Sequence, residues 1–117
     1  MYIVEKTFEF SAAHALTHLP ENHPCHKIHG HNYKVTFAFK SDKLNKDKFV
    51  IDYRMIKELV QPIINLLDHG NLNDSFVYTT SEVMAKSIFE QIKGSNPLLY
   101  SVAISETEST KAIYYES

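Results

Sequence analysis

The chain has 117 residues, of which 44% are hydrophobic, so it can bury one core and is too short for two ordinary domains. Its formal net charge of -2 is spread along the chain, which excludes a basic stripe that binds phosphate backbones; nucleic acid is not an expected partner. No apolar run reaches membrane-spanning length, and the single cysteine, Cys25, suits a reducing compartment. We therefore expect one cytoplasmic domain over residues 1–117, with no membrane partner.

The N-terminal segment has the alternation of a half-buried strand. Its even-numbered positions from Tyr2 to Ala12 are mostly apolar, the odd-numbered ones are mostly polar, and His14 continues the apolar face. The next stretch, 16–27, contains two prolines and an asparagine and predicts a loop.

A second strand is predicted over 28–39. Its odd-numbered residues from Tyr33 to Phe39 are apolar, and they alternate with polar neighbours. His29 and His31 precede them with the same parity, so both imidazoles are expected on the buried face.

Two amphipathic helices are predicted next. Asp52 is a suitable N-cap for the first helix, Pro62 should bend it, and Gly70 is expected to close it in the left-handed conformation. Thr79 and Glu82 have the spacing of a capping box for the second helix. The predicted apolar stripes contain Met55, Ile56, Leu59, Ile63, Leu66 and Leu67 in the first helix and Val83, Met84, Ile88 and Ile92 in the second.

Segments 98–104 and 111–115 predict two closing strands. The order strand, strand, helix, helix, strand, strand favours an α+β fold, in which an antiparallel four-stranded sheet carries both helices on one face. A sheet with so few strands has exposed edges, and pairing with other copies of the chain is one way to cover them. We therefore expect a homo-oligomer.

Three histidines form a candidate metal site. His29 and His31 share a strand face and His14 prolongs the buried face of the neighbouring strand, so the three imidazoles can converge. Three neutral histidines with one open position are typical of catalytic zinc, whereas structural zinc is normally closed by four ligands. The alternative is that these are ordinary polar residues at strand ends, and His-x-His alone is a weak signal. The clustering favours Zn²⁺ as a cofactor.

Cys25 lies four residues before His29, within reach of a ligand bound at such a metal. A cysteine acts as a base or nucleophile only as its thiolate, which a nearby metal favours. A fourth zinc ligand and a small buried apolar side chain are the other interpretations. The histidine cluster favours a functional role.

Two acidic residues are further candidates. Asp68 followed by His69 predicts a proton relay at the end of a helix, although a histidine stabilised there by the helix dipole is the simpler interpretation. Glu106 continues the apolar parity of the third strand, where a buried carboxylate needs a partner. A ligand with adjacent N–H donors, such as the guanidine-like edge of a pterin, would supply one. A solvated glutamate beyond the strand end fits the periodicity equally well.

Several motifs recur in order along nearly the whole chain. They are Phe10-Ser-Ala-Ala-His14, Cys25-His-Lys-Ile-His29-Gly-His31-Asn-Tyr33, Leu67-Asp-His69, Leu72-Asn-Asp74, Thr80-Ser-Glu82 and Ile104-Ser-Glu106-Thr107. Together they resemble the signatures of the 6-pyruvoyl-tetrahydropterin synthases and their relatives in queuosine biosynthesis. The combination of the cysteine with His-Gly-His is the most specific of them.

The resemblance implies the tunnelling fold (T-fold), in which trimers close their sheets into a barrel and two trimers stack as a hexamer with active sites between subunits. It also implies a role for each candidate residue. His14, His29 and His31 would hold zinc, Cys25 would be the general base, Asp68 and His69 would form the relay, and Glu106 would anchor the pterin with Thr80, Ser81 and Glu82.

The implied substrate is 7,8-dihydroneopterin triphosphate. Three residues separate Cys25 from His29, which resembles the branch that makes 6-carboxy-tetrahydropterin, acetaldehyde and triphosphate; five would resemble the 6-pyruvoyl branch. The sister 6-pyruvoyl reaction, a zinc hydrolase and a non-catalytic pterin-binding module are the alternatives. Thr79 stands where relatives often have Pro, and 107–111 lacks the small residues common there, so the pterin pocket is less well defined by the motifs than the zinc ligands.

Overall fold

The computed structural model describes residues 1–117, which form one four-stranded antiparallel sheet and two helices. The sheet order is β1-β2-β3-β4, and the predicted α+β arrangement is confirmed. Neither helix combines the length and apolarity that a membrane crossing requires. The elements are β1 (Tyr2–His14), β2 (His29–Ser41), α1 (Tyr53–Leu67), α2 (Ser81–Lys93), β3 (Leu99–Ser105) and β4 (Ala112–Tyr115), with single turns of 3₁₀ helix at Pro24–His26 and Leu72–Asp74.

The core lies between one face of the sheet and the two helices. Helix α1 packs on β1, and α2 packs on β3 and β4. The predicted inner parity of the strands is confirmed, because the buried sheet residues include Phe10, Tyr33, Val35, Phe37, Phe39, Val102 and Ile104. Removal of these apolar side chains from water is the main force that holds the helices on the sheet.

The buried face of α1 differs in part from the predicted stripe. Asp52 caps the helix as expected, its carboxylate accepting from the Arg54 amide, and the helix continues through Pro62. Met55 and Leu66, however, are 46% and 72% exposed. The core-facing residues recur every three or four positions, as the helical period requires, and are Ile56, Val60, Ile64 and Leu67.

Two predicted helix caps are displaced by one residue. The N-cap of α2 is Thr80, whose hydroxyl accepts from the Val83 amide at 3.3 Å, so the capping box assigned to Thr79 is wrong. The left-handed residue after α1 is His69, with φ of 60°, and the assignment of that conformation to Gly70 is wrong. Both displacements matter, because they leave the side chains of Thr79 and His69 available for other contacts.

Phe37→Ala is expected to destabilise the fold by about 3–5 kcal/mol, because it removes a fully buried ring that packs edge to face on Phe8 at 5.8 Å. Urea unfolding followed by circular dichroism measures the loss. Thr7→Ala is the control on the exposed face of the same sheet, where only a hydroxyl contact with Thr36 is lost, and should cost less than about 1 kcal/mol. Equal losses in the two variants would contradict the assignment of the buried face.

Candidate active site

The strand register brings the three predicted metal-binding histidines together. His14 pairs directly with His29, and Ala12 pairs with His31, so all three side chains lie on the helix-covered side of the β1–β2 pair. The ring centroids are 4.6 Å apart for His14 and His29 and 5.2 Å apart for His14 and His31. One ring nitrogen of each histidine lies within 4.8 Å of the other two.

Hydrogen bonds fix the orientation of two of these rings. The Nδ1 atom of His14 lies 2.9 Å from the Thr79 carbonyl oxygen, and that of His29 lies 2.7 Å from the Lys27 carbonyl oxygen. Because a carbonyl oxygen only accepts, each Nδ1 carries the hydrogen and each Nε2 presents a lone pair. Burial lowers the pKa of His14 below its ordinary value, against opposing effects of Thr79 and Glu106, and so favours the neutral ring.

The geometry fits a metal ion. The Nε2 atoms of His14 and His31 are buried and have no hydrogen-bond partner in the protein. Buried nitrogens that converge without donors are costly unless a cation satisfies them. Three imidazole nitrogens, two of them oriented by carbonyl groups, form the donor set of a catalytic zinc site with an open position.

Two residues that the sequence analysis missed hold His14 and the chain that follows it. The side-chain amide of Asn73 accepts from the Ala15 amide at 2.8 Å and donates to the Ala15 carbonyl at 2.9 Å. The Thr79 hydroxyl lies 3.2 Å from His14 Nδ1, beside the carbonyl that orients the ring. The Leu72-Asn73-Asp74 motif was the only sequence signal for this support, and it indicated no role.

Asn73→Ala is expected to destabilise the protein by about 1–3 kcal/mol and to weaken metal binding about tenfold, because it leaves both polar backbone groups of Ala15 without their partner. Asn65→Ala is the matched control, because Asn65 lies on the exposed face of α1 and loses only a bond from Gln61. It should change neither the stability nor the zinc affinity measurably. Thermal unfolding and zinc titration distinguish the two. An unchanged zinc affinity in Asn73→Ala would show that the two bonds between Asn73 and Ala15 do not position His14.

The predicted relay residues form a pair at the edge of β1. The Ser11 amide donates to Asp68 Oδ1 at 2.9 Å, and the other carboxylate oxygen lies 2.9 Å from His69 Nδ1. The Ser11 amide, followed by the His69 contact, holds the pKa of Asp68 below its ordinary value, so the carboxylate is ionised at neutral pH. The side chain of His69 itself is 83% exposed.

His69 has a backbone conformation that its residue type does not favour. Its φ of 60° is left-handed, and its amide donates to the Ser11 carbonyl at 2.6 Å. Glycine or asparagine adopts this conformation at lower cost, and strained backbone of this kind clusters at functional sites. His69 therefore ends α1 with a left-handed residue that is also bonded through its amide to β1.

His31 lines two clefts that share residues 30–32. A cleft of about 430 Å³ is lined by both His31 and His69, and one of about 410 Å³ is lined by both His31 and Glu106. His69 and Glu106 therefore each line a cleft that also includes His31, one of the three candidate metal ligands.

Glu106 lies just beyond the end of β3, beside the histidines. Lys34 pairs with Ser105, so the next position along the register sets Glu106 opposite Tyr33. Its Oε1 accepts from the Ser81 hydroxyl at 3.2 Å, and its Oε2 lies 3.6 Å from His31 Nε2. A cleft of about 290 Å³ brings Glu106 together with Ser81 and Glu82, two of the residues predicted to bind substrate. The third, Thr80, is the helix cap and does not line this cleft.

Cys25 lies half-buried in the 3₁₀ turn that precedes β2. Its carbonyl accepts from the Leu16 amide at 2.8 Å, which fastens the turn to the chain just after His14. Its amide donates to His23 Nδ1 at 3.0 Å. The backbone of Cys25 is thus fastened next to the segment that follows His14; its thiol is not in a disulfide and is not among the three converging ligand groups.

Comparison with known proteins defines the family. The family model described as 6-pyruvoyl tetrahydropterin synthase matches residues 3–117. The chain belongs to the 6-pyruvoyl tetrahydropterin synthase family. A Synechocystis relative named 6-carboxy-5,6,7,8-tetrahydropterin synthase is 35% identical over 98% of this chain and 94% of its own length.

Other family members support the fold and show that reactions differ between relatives. The structure of Caenorhabditis elegans 6-pyruvoyl tetrahydropterin synthase has a TM-score of 0.87 and 29% identity, covering 99% of this chain and 96% of that one. The chain fold that the predicted T-fold requires is therefore confirmed. A Pyrococcus furiosus relative named dihydroneopterin monophosphate aldolase is 30% identical over 75% of this chain and 72% of its own length. Membership of the 6-pyruvoyl tetrahydropterin synthase family thus leaves more than one reaction to distinguish.

Proposed function

We propose that this chain is a zinc-dependent 6-carboxy-5,6,7,8-tetrahydropterin synthase of queuosine biosynthesis, acting in the cytoplasm. It would convert 7,8-dihydroneopterin triphosphate and one water molecule to 6-carboxy-tetrahydropterin, acetaldehyde and triphosphate. The observation that carries the proposal is the open set of three histidine nitrogens, with His69 in one adjoining cleft and Glu106 in the other. The short spacing from Cys25 to His29 and the similarity to the Synechocystis relative favour the carboxy branch.

The candidate site contains the groups that proton abstraction next to a polarised oxygen requires. Zinc, held by His14, His29 and His31, would supply a Lewis acid for the side-chain oxygens of the substrate. The thiolate of Cys25 would accept the carbon-bound proton. His69, oriented by Asp68 at 2.9 Å, would exchange protons with a substrate hydroxyl from the other side.

Glu106 would hold the pterin ring. An ionised carboxylate accepts two parallel hydrogen bonds from adjacent N–H groups, which the guanidine-like edge of a pterin offers. Ser81 already donates to Glu106 at 3.2 Å, and Glu82 lines the same cleft, so both are proposed as supporting residues. Thr80 would act by fixing the start of α2, which carries Ser81.

We also propose that the chain assembles as a hexamer of two stacked trimers. Within one chain no named strand pairs with the outer edges of β1 and β4, and residues 68–71 bond to β1 only near Ser11 and Ala13. Strand edges of this kind are normally covered. Joining β1 of one copy to β4 of the next would cover both edges and continue the sheet around a barrel.

His69→Asn is expected to lower turnover at least about a hundredfold without lowering stability. Asparagine tolerates the left-handed conformation, so the free energy of unfolding should stay within about 0.5 kcal/mol of the parental value. The imidazole that would exchange protons is lost. Steady-state kinetics and urea unfolding are measured on the same preparation. Full activity in the variant would show that His69 is only a helix terminator.

The proposed reaction is tested by incubating zinc-loaded protein with 7,8-dihydroneopterin triphosphate and identifying the products by mass. Acetaldehyde together with 6-carboxy-tetrahydropterin is the expected result. The pyruvoyl product without acetaldehyde would support the sister reaction, and glycolaldehyde phosphate from dihydroneopterin monophosphate would support the aldolase. Pterin binding without turnover of either substrate would support a binding module.

A further inference from the structure

The carboxylate of Glu106 lies close to two of the three histidine nitrogens, those of His14 and His31. Its Oε2 lies 3.6 Å from His31 Nε2, and its Oε1 lies 4.0 Å from His14 Nε2. The Thr79 contact makes His14 Nε2 a lone-pair acceptor, and an ionised carboxylate is also an acceptor only. Acceptors that face one another at these distances repel unless a cation lies between them.

The protein supplies few hydrogen-bond donors to the carboxylate of Glu106. The side chain of Glu106 is 28% exposed, and its only hydrogen bond is the one from Ser81 to Oε1. No donor reaches Oε2, the oxygen nearest to His31, and His31 Nε2 is itself buried without a partner. The carboxylate therefore has an oxygen free on the side where a metal would be held.

We propose that Glu106 is the fourth ligand of the metal when no substrate is bound, and that it leaves the metal to bind the pterin. The exchange, in which Glu106 leaves the metal for the pterin, rests on the proposed function. The ligation, in which Glu106 binds the metal, does not. Two parallel hydrogen bonds to a pterin edge need both carboxylate oxygens, so Glu106 cannot anchor the ring and remain on the metal. Substrate binding would then free the coordination position that Glu106 held, and the side chain of the substrate would occupy it.

Ligation by Glu106 has an electrostatic reason. Three neutral imidazoles leave the double charge of a zinc ion uncompensated in a half-buried site, and one carboxylate halves it. Three nitrogens and one oxygen also complete the tetrahedral set that zinc prefers. The resting centre would therefore hold its metal more tightly than the three histidines alone.

The test uses Co²⁺ in place of zinc, because its visible absorption reports the number and type of ligands. Glu106→Gln is compared with Glu108→Gln, which removes the same charge at a position two residues further along the chain. The side chain of Glu108 is 90% exposed and bonded to Lys34. In the absence of pterin, Glu106→Gln should alter the visible band and lower zinc affinity about ten- to a hundredfold in chelator competition. Glu108→Gln should keep both the parental band and the parental affinity.

The same cobalt protein tests the exchange when biopterin, which lacks a triphosphate, is added. Saturating biopterin should shift the parental band to a new position and leave the already altered band of Glu106→Gln much less changed. A parental band and zinc affinity in pterin-free Glu106→Gln would overturn the ligation, and a parental band unmoved by bound biopterin would overturn the exchange. Neither metal measurement depends on turnover, so failure of the proposed reaction would be seen separately.

Discussion

His29→Ala is expected to weaken zinc binding at least about a thousandfold and to reduce turnover to background. The ring supplies one of three nitrogens that lie within 4.8 Å of one another, and its Nδ1 bond to Lys27 at 2.7 Å already orients Nε2 for a metal. Its loss removes a ligand that no neighbouring side chain replaces. His29 is also only partly buried, so the variant should fold, which allows metal content and turnover to be measured on soluble protein.

His18→Ala is the matched control. His18 belongs to the same histidine-rich segment, but it is exposed and packs on the Tyr78 ring at 5.1 Å, away from the three converging nitrogens. Chelator competition and bound-metal analysis should give the parental result for this variant. If both variants lost zinc equally, or if His29→Ala kept it, the three-histidine site would be the wrong assignment.

The elements of the fold follow from patterns that are local in sequence. The two-residue alternation in β1 and β2 fixed which side chains are buried, and it placed His14, His29 and His31 on one face. The ends of helices were less predictable. Thr79 and Thr80 are adjacent residues with equal capping chemistry, and only the tertiary contact of Thr79 with His14 decides which of them caps α2.

The candidate site was predictable where the chemistry of a residue is unusual, and not where an ordinary residue acts through the backbone. Histidines two apart in a strand are a weak signal alone, but together with His14 on the neighbouring strand they indicate a metal. In contrast, Asn73 holds Ala15, 58 positions away, and the Ser11 amide holds Asp68, 57 positions away. These contacts depend on how α1 and the following turn pack along the edge of β1, and a single sequence carries no signal for that packing.

Cys25→Ala is expected to reduce turnover by about three to four orders of magnitude while zinc content stays at the parental level. The expected loss is that of the proposed general base, whose backbone is held by bonds to Leu16 and His23, so a water molecule would not replace it efficiently. The change also deletes only one heavy atom from a half-buried side chain, and the fold should be unaffected. Turnover, bound zinc and thermal stability are measured together.

The three interpretations of Cys25 give different results in this variant. A fourth zinc ligand would lose metal affinity as well as activity, since a thiolate is among the strongest zinc donors. A buried apolar side chain would lose some stability and keep both. A zinc hydrolase, in which the three histidines activate water, would keep its zinc and its activity because the thiol has no part in that reaction. Loss of turnover with zinc and stability intact is therefore the one combination that identifies the thiol as the base.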